Sequence, residues 1–134
     1  MQTFLPYPDF AQSMRSLDYK RLGKQRVEAM QLLNCLPENS SSGWRNHPAA
    51  KMWRGYDSGL RMYMRAAILE WLDRGYNNTM VIPDEEDYEL PPWLHKNSLV
   101  CVSHQANLVR KDAEFYAPLF PNADPEMPYY WPVS

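Results

Sequence analysis

An all-α fold, one domain of about three main helices, is predicted for this chain of 134 residues by three observations. Apolar residues recur at spacings of three and four in three stretches, 18–36, 48–74 and 99–111, the mark of a helix with one buried face. Residues that start or stop helices stand at the ends of those stretches. No segment alternates apolar and polar residues as a half-buried strand would.

Each element has its own justification. Residues 1–8 are apolar and bounded by Pro6 and Pro8, so they read as an extended lead-in. Asp9 or Ser13 can cap a first helical turn. In 18–36, Leu22, Ala29, Leu33 and Leu36 fall on one side and Lys20 and Lys24 on the other. Gln25 and Arg26 break this pattern by projecting into the apolar arc, where a polar group needs a partner or a wet pocket. Residues 37–45 carry turn formers and read as a loop.

A second helix is predicted from Pro48, favoured in a first turn, to Arg74, with Gly75 as its stop. Trp53, Tyr56, Leu60, Tyr63, Met64, Ala67 and Trp71 keep the spacing throughout. Gly55 and Gly59 inside it mark weak points or close approach of another backbone. Residues 76–97 form a long acidic connection. Ser98 then caps a third helix, 99–111, with an expected apolar face of Leu99, Val102, Ala106 and Val109, and Asp112 caps a short continuation. The Pro-rich tail with Tyr129, Tyr130 and Trp131 should lie extended across the domain.

Composition narrows the class. Five Trp, nine Tyr and four Phe imply a packed core or a stacking surface rather than disorder. No apolar run is long enough to span a membrane, and the N-terminus lacks the pattern of a secretory signal, so a cytoplasmic protein is expected. Cys35 and Cys101 are read as free thiols. The scattered His, Cys and acidic residues offer no metal-ligand spacing, and neither metal nor cofactor is expected. Charge is unevenly spread. Residues 1–82 hold 11 basic and seven acidic side chains, whereas residues 83–134 hold three and nine. A local basic face is compatible with that distribution, and so are two solvated faces of opposite sign.

Four constellations can carry chemistry. The first has five cations between Arg15 and Arg26 against one acid: Lys20, Arg21 and Lys24 suit phosphates, and Gln25, Arg26 and Glu28 suit an anion or a base edge. Structurally, the lysines would simply be solvated and Arg26 would pair with a carboxylate such as Asp9, Asp18 or Glu28. The second is Trp44, Arg45 and His47 with Lys51 and Arg54, a helix N-terminus surrounded by cations and hence an anion site, or else a plain helix cap. The third is Ser103, His104, Asn107, Arg110 and Lys111, a polar face that would be a ligand-facing wall or a solvated surface. The fourth is the aromatic set Tyr129, Tyr130 and Trp131, joined by Trp44, which would stack bases or close the core.

The order of these features resembles the pyrimidine-dimer DNA glycosylase family, the phage-type endonuclease V fold. The resemblance rests on His47, on Tyr56-Asp57-x-x-Leu60, on the run from Glu70 through Arg74-Gly75-Tyr76-Asn77, on Gln105-Ala106-Asn107-Leu108 and on the aromatic tail. The opening Q-T-F-L-P-Y and the segment L-G-K-Q-R-V-E are similar to a branch of small bacterial and phage proteins beside that family. The resemblance implies that an N-terminal amine attacks the sugar C1′ of a damaged nucleotide, forms a Schiff base and cleaves the strand, assisted by a glutamate among arginines.

Two positions differ from that pattern. The family's amine belongs to a small second residue, whereas Gln2 is large and should leave Met1 in place. The segment 20–26, in the place of the family's R-E-L-P-R, has no glutamate, although Arg26 matches. The resemblance therefore assigns Met1, Arg26 and Glu28, or Asp18 for the acid, to catalysis. Gln25, Arg21, His47, His104, Asn107, Arg110 and Lys111 would contact the base or substrate, and Lys20, Lys24, Arg45, Lys51 and Arg54 the phosphates. The expected activity is that of a glycosylase/AP lyase on damaged or modified DNA. The alternative is a binding module that holds a nucleotide, modified base or nucleotide-derived signal in the same pocket without turning it over.

Overall fold

The computed structural model describes residues 1–133, and it is helical, with no residue paired into a β-sheet among those described. Six helices follow one another among these residues: α1 Phe10–Ser16, α2 Tyr19–Cys35, α3 Pro48–Trp53, α4 Asp57–Asp73, α5 Leu99–Lys111 and α6 Ala113–Tyr116. The long pair α2 and α4 packs face to face, with α1 against α4 and α5 joined to α6. Leu22 and Ala29 of α2 and Leu60, Tyr63 and Ala67 of α4, all on the predicted faces, are fully buried, and Leu32 and Ile68 join them, whereas the predicted Leu33 and Trp71 are only partly buried.

Caps and stops follow local chemistry. Asp9 caps α1, its Oδ2 accepting from the Gln12 amide at 2.8 Å, whereas Ser13 lies inside α1 and its hydroxyl donates to the Tyr7 carbonyl at 2.8 Å. His47 caps α3 through Nδ1, Ser98 caps α5 and Asp112 caps α6. Beyond α4, Gly75 has φ +90°, the left-handed conformation that ends helices and favours glycine. There Arg74 donates to the carbonyls of Met14 (3.1 Å) and Leu17 (2.8 Å), tying the end of α4 to the end of α1.

Two expectations are corrected. The predicted helix 48–74 is two helices, broken at Gly55, whose φ of +88° no continuous helix accommodates. The apolar spacing runs through the break because both pieces face one core. The change of direction lets Trp53 and Tyr63 meet there with ring centroids 6.0 Å apart. The second correction is the face of α5. Leu99 and Val102, expected inside, are 54% and 37% exposed, while Ser103, His104 and Asn107 are buried. Hydrophobicity alone predicts the reverse. The reason is the strand that α5 covers.

Residues 2–6 run extended through the interior, every one of them buried. An extended segment has no internal hydrogen bonds, so each buried N–H and C=O needs a partner from elsewhere. Side chains supply them. The Phe4 amide donates to Gln25 Oε1 at 3.0 Å and the Leu5 amide to His104 Nδ1 at 2.8 Å. The Phe4 carbonyl accepts from the Tyr63 hydroxyl at 2.9 Å, and the Pro6 carbonyl from Gln105 Nε2 at 2.8 Å. Trp53 Nε1 reaches the Thr3 hydroxyl at 3.0 Å. The N-terminal segment is thus held by α2, α3, α4 and α5 at once.

The two cysteines are free and buried. Among the described residues no helix is long and apolar enough to cross a membrane.

Candidate functional site

Where the buried strand reaches its first residue, the chain opens into a cleft of about 410 Å³. Met1, Gln2 and Phe4 form one side and Lys20, Arg21, Lys24, Gln25 and Glu28 of α2 the other, with Lys111 and Tyr129 completing the rim. At roughly 100° per residue, positions 21, 24, 25 and 28 fall within one arc of α2, so a single helix face supplies both the cations and the acid.

The carboxylate is positioned. Glu28 Oε2 accepts from the Gln2 amide at 3.3 Å and from Gln25 Nε2 at 3.3 Å. That places an acid against the residue next to the N-terminal amine. Gln25 is the hub of this corner: its Oε1 also accepts from the Tyr63 hydroxyl at 2.5 Å. Burial, and then the negative charge of Glu28, hold the Tyr63 hydroxyl well above its ordinary pKa, so it remains a donor. Arg21 is aimed by Asp18, which binds it at 3.1 Å. Asp18 itself takes bonds from Tyr116 and Arg21, and these outweigh burial and hold its carboxyl below the usual range. An acid so occupied is a positioning group for Arg21, and Glu28 is the acid of the cleft.

The charge of the N-terminal amine also reaches His47, whose pKa is lowered by burial and then by that charge. Because Nδ1 accepts from the Ala49 amide at 3.0 Å, a neutral His47 carries its proton on Nε2 and acts as a donor. Its ring meets Trp44 and Trp131 edge-on at 5.5 and 5.7 Å. Tyr129 packs against Phe4, Trp131 and His104 at 6.3, 5.9 and 6.0 Å, so the tail roofs this end of the strand.

Of the residues singled out in the sequence, Met1, Glu28, Gln25, Arg21, Lys20, Lys24, Lys111 and Tyr129 are brought together. Others are not. Arg26 lies about 140° round α2 from Arg21, its guanidinium 4.1 Å over the Trp71 ring and bonded to Asn78 Oδ1 at 3.0 Å. It does not line the cleft. His104 is buried with its Nδ1 committed to Leu5, and burial pushes its pKa down to about 3, so it is a core acceptor and not part of a wall. Asn107 Nδ2 donates to the carbonyls of Ser103 (2.8 Å) and Met127 (3.1 Å). Arg110 also donates to the Met127 carbonyl.

Arg45 caps the end of α2 through the carbonyls of Cys35 and Leu36, both at 3.3 Å, and Arg54 holds the Arg45 carbonyl at 2.6 Å. These two arginines, and half-buried Lys51, are not cleft residues. Tyr130 lines a separate groove with Trp93 and His95. No cluster of His, Cys, Asp and Glu able to hold a metal occurs among the described residues.

Sequence reasoning missed Gln2, Phe4 and Tyr63. A signal for Tyr63 existed: Gln25 on an apolar stripe announces a buried polar partner, and that partner proved to be the protein's own N-terminal strand.

A family model described as pyrimidine dimer DNA glycosylase matches residues 1–84. That span contains every cleft residue except Lys111 and Tyr129. No curated protein and no solved structure matches the chain.

Proposed function

Because the chain belongs to the pyrimidine dimer DNA glycosylase family, we propose that it is a DNA N-glycosylase with AP-lyase chemistry whose nucleophile is the Met1 amine. One observation carries the reading: three helices, α2, α4 and α5, hold residues 2–6 by their backbone groups, which delivers the N-terminus to a cationic cleft beside Glu28. Fixing a terminus so thoroughly is costly in conformational entropy. It is understandable where the terminus itself reacts.

In this reading the Met1 nitrogen bonds to C1′ as the C1′–N bond to the base breaks, and the departing base takes up a proton. The nitrogen sheds a proton, the ring oxygen gains one as it leaves C1′, and a protonated imine remains. Removal of a C2′ proton then expels the 3′ phosphate, and water releases the amine. Glu28 serves as the acid and base of these transfers. Lys20, Lys24, Arg21 and Lys111 meet the phosphates, and Gln25 fixes Glu28. This assignment moves the cationic role from Arg26, which resemblance had favoured, to Lys20, Arg21 and Lys24.

Borohydride reduction in the presence of a duplex carrying an abasic site tests it. We expect a covalent adduct whose mass maps to the Met1 peptide. The same protein with its N-terminus acetylated, or extended by one residue, should give none. Absence of an adduct with the native protein, on abasic and dimer-containing duplexes alike, refutes the amine chemistry and leaves the same cleft as a nucleotide-binding site.

A further inference from the structure

Gln2 has hydrogen-bonding capacity that the protein does not use. It lines the cleft yet is only 7% exposed. Its backbone amide donates to Glu28, and its Oε1 accepts from the Thr3 amide at 2.9 Å. The latter bond sets the orientation of the side-chain amide and leaves only N–H to offer. Nε2 is buried and meets no acceptor among the described residues. Two other buried polar atoms share that condition, Arg26 Nε and His104 Nε2, but neither residue lines the cleft. A buried donor normally has a partner, and for a residue on a cleft wall a bound ligand can supply it.

The surroundings select the kind of acceptor. Phosphates are served by the four cations of the cleft. The neutral amide of Gln2 shares that lining with Phe4 and Tyr129; Phe4 is only 5% exposed, so the half-buried Tyr129 ring is the one with surface for the face of a base. A neutral N–H there matches a carbonyl oxygen on the base edge.

We propose that Gln2 Nε2 donates to a keto oxygen of a nucleobase seated against Tyr129, making Gln2 a specificity-determining residue of the cleft. This rests on the nucleic-acid reading of the same cleft and names the part of the substrate it reads. A site built around such a donor discriminates against ligands that leave it unpaired.

The test compares thymidine 5′-monophosphate with 2-deoxyribose 5-phosphate, which share the phosphate and differ by the base. Binding is followed by NMR titration of the native protein, Gln2→Leu and Gln2→Glu. Both substitutions are large enough to keep Met1, which intact mass verifies, and Gln2→Glu also keeps an acceptor for the Thr3 amide. We expect the native protein to prefer the nucleotide, and both variants to lose about tenfold of that preference with folding intact. A native protein that binds the two ligands equally overturns the proposal, and so does a Gln2→Glu variant that keeps the full preference.

Trapping on an abasic duplex, which has no base to read, reports the amine chemistry separately. A Met1 adduct without base preference leaves the lyase standing and removes the role of Gln2. A base preference without any adduct does the opposite.

Discussion

The two ends of this chain are both extended, and they are held in opposite ways. Residues 2–6 lie in the interior with their peptide groups bonded to side chains of three helices. Residues 128–133 lie over the surface, half-exposed or exposed. They are anchored just upstream, where Asn107 and Arg110 both take the Met127 carbonyl, and by aromatic contacts of Tyr129 and Trp131. A strand inside a helical core must be satisfied by polar side chains, because there is no water to do it. A strand on the surface needs only apolar footing. The first arrangement dictates residue identity at distant positions on three long helices, and the second dictates little.

The largest effect expected from this contrast is at Gln25. Gln25→Leu leaves the Phe4 amide without an acceptor in the core and removes the bond to Glu28, while the Tyr63 hydroxyl keeps the Phe4 carbonyl. Orphaning that amide costs about 1–3 kcal/mol, the fall that urea denaturation should show. A loss below about 1 kcal/mol would mean that water satisfies the strand, and the distinction between the two ends would fail.

His104 sharpens the comparison through pH. Its pKa is pushed down to about 3 in the folded protein from an ordinary 6.5, because burial opposes the charged form. The stability it confers is complete above about pH 6.5, where neither state protonates it. That stability declines as pH falls towards 3, since the unfolded chain binds a proton that the native one refuses. The slope from this residue is about 1.4 kcal/mol per pH unit near pH 5. His104→Phe should start less stable at neutral pH by about 1–3 kcal/mol, the Leu5 amide being unpaired, and should lose that component of the acid slope. Parallel pH profiles for the two proteins would show that His104 is protonated in the native state.

The smallest effect belongs to the other end. Trp131→Ala should lower stability by on the order of 1 kcal/mol, read as a small shift of the same urea midpoint. A loss matching that of Gln25→Leu would make the tail a core element and erase the difference.

Much of this molecule is written locally. The boundaries of α2 and α5, the stop at Gly75, the caps at Asp9, Ser98 and Asp112 and the extended ends all follow from spacing, capping chemistry and backbone preference, which act over a few residues. The cationic face of α2 is equally legible, because positions 20, 21, 24 and 28 share an arc whatever the helix packs against. The break at Gly55 was visible only as a weakness, since an apolar stripe continues when two helices face one core.

Other features depend on which segments meet. Gln25 and His104 are polar residues on inward faces, and sequence reasoning gave them to a ligand. Their partners are the Phe4 and Leu5 amides, 21 and 99 positions away, and no periodicity reveals a pairing of that range. Arg26 was assigned to the site by resemblance, and it lies instead on Trp71 because one helix step carries a side chain about 100° away from its neighbour. The sequence by itself determined the helices and the residue types of the cleft. The tertiary structure alone decided that the N-terminus is threaded through the core to reach it, because hydrogen bonds between remote segments exist only once the chain has folded around them.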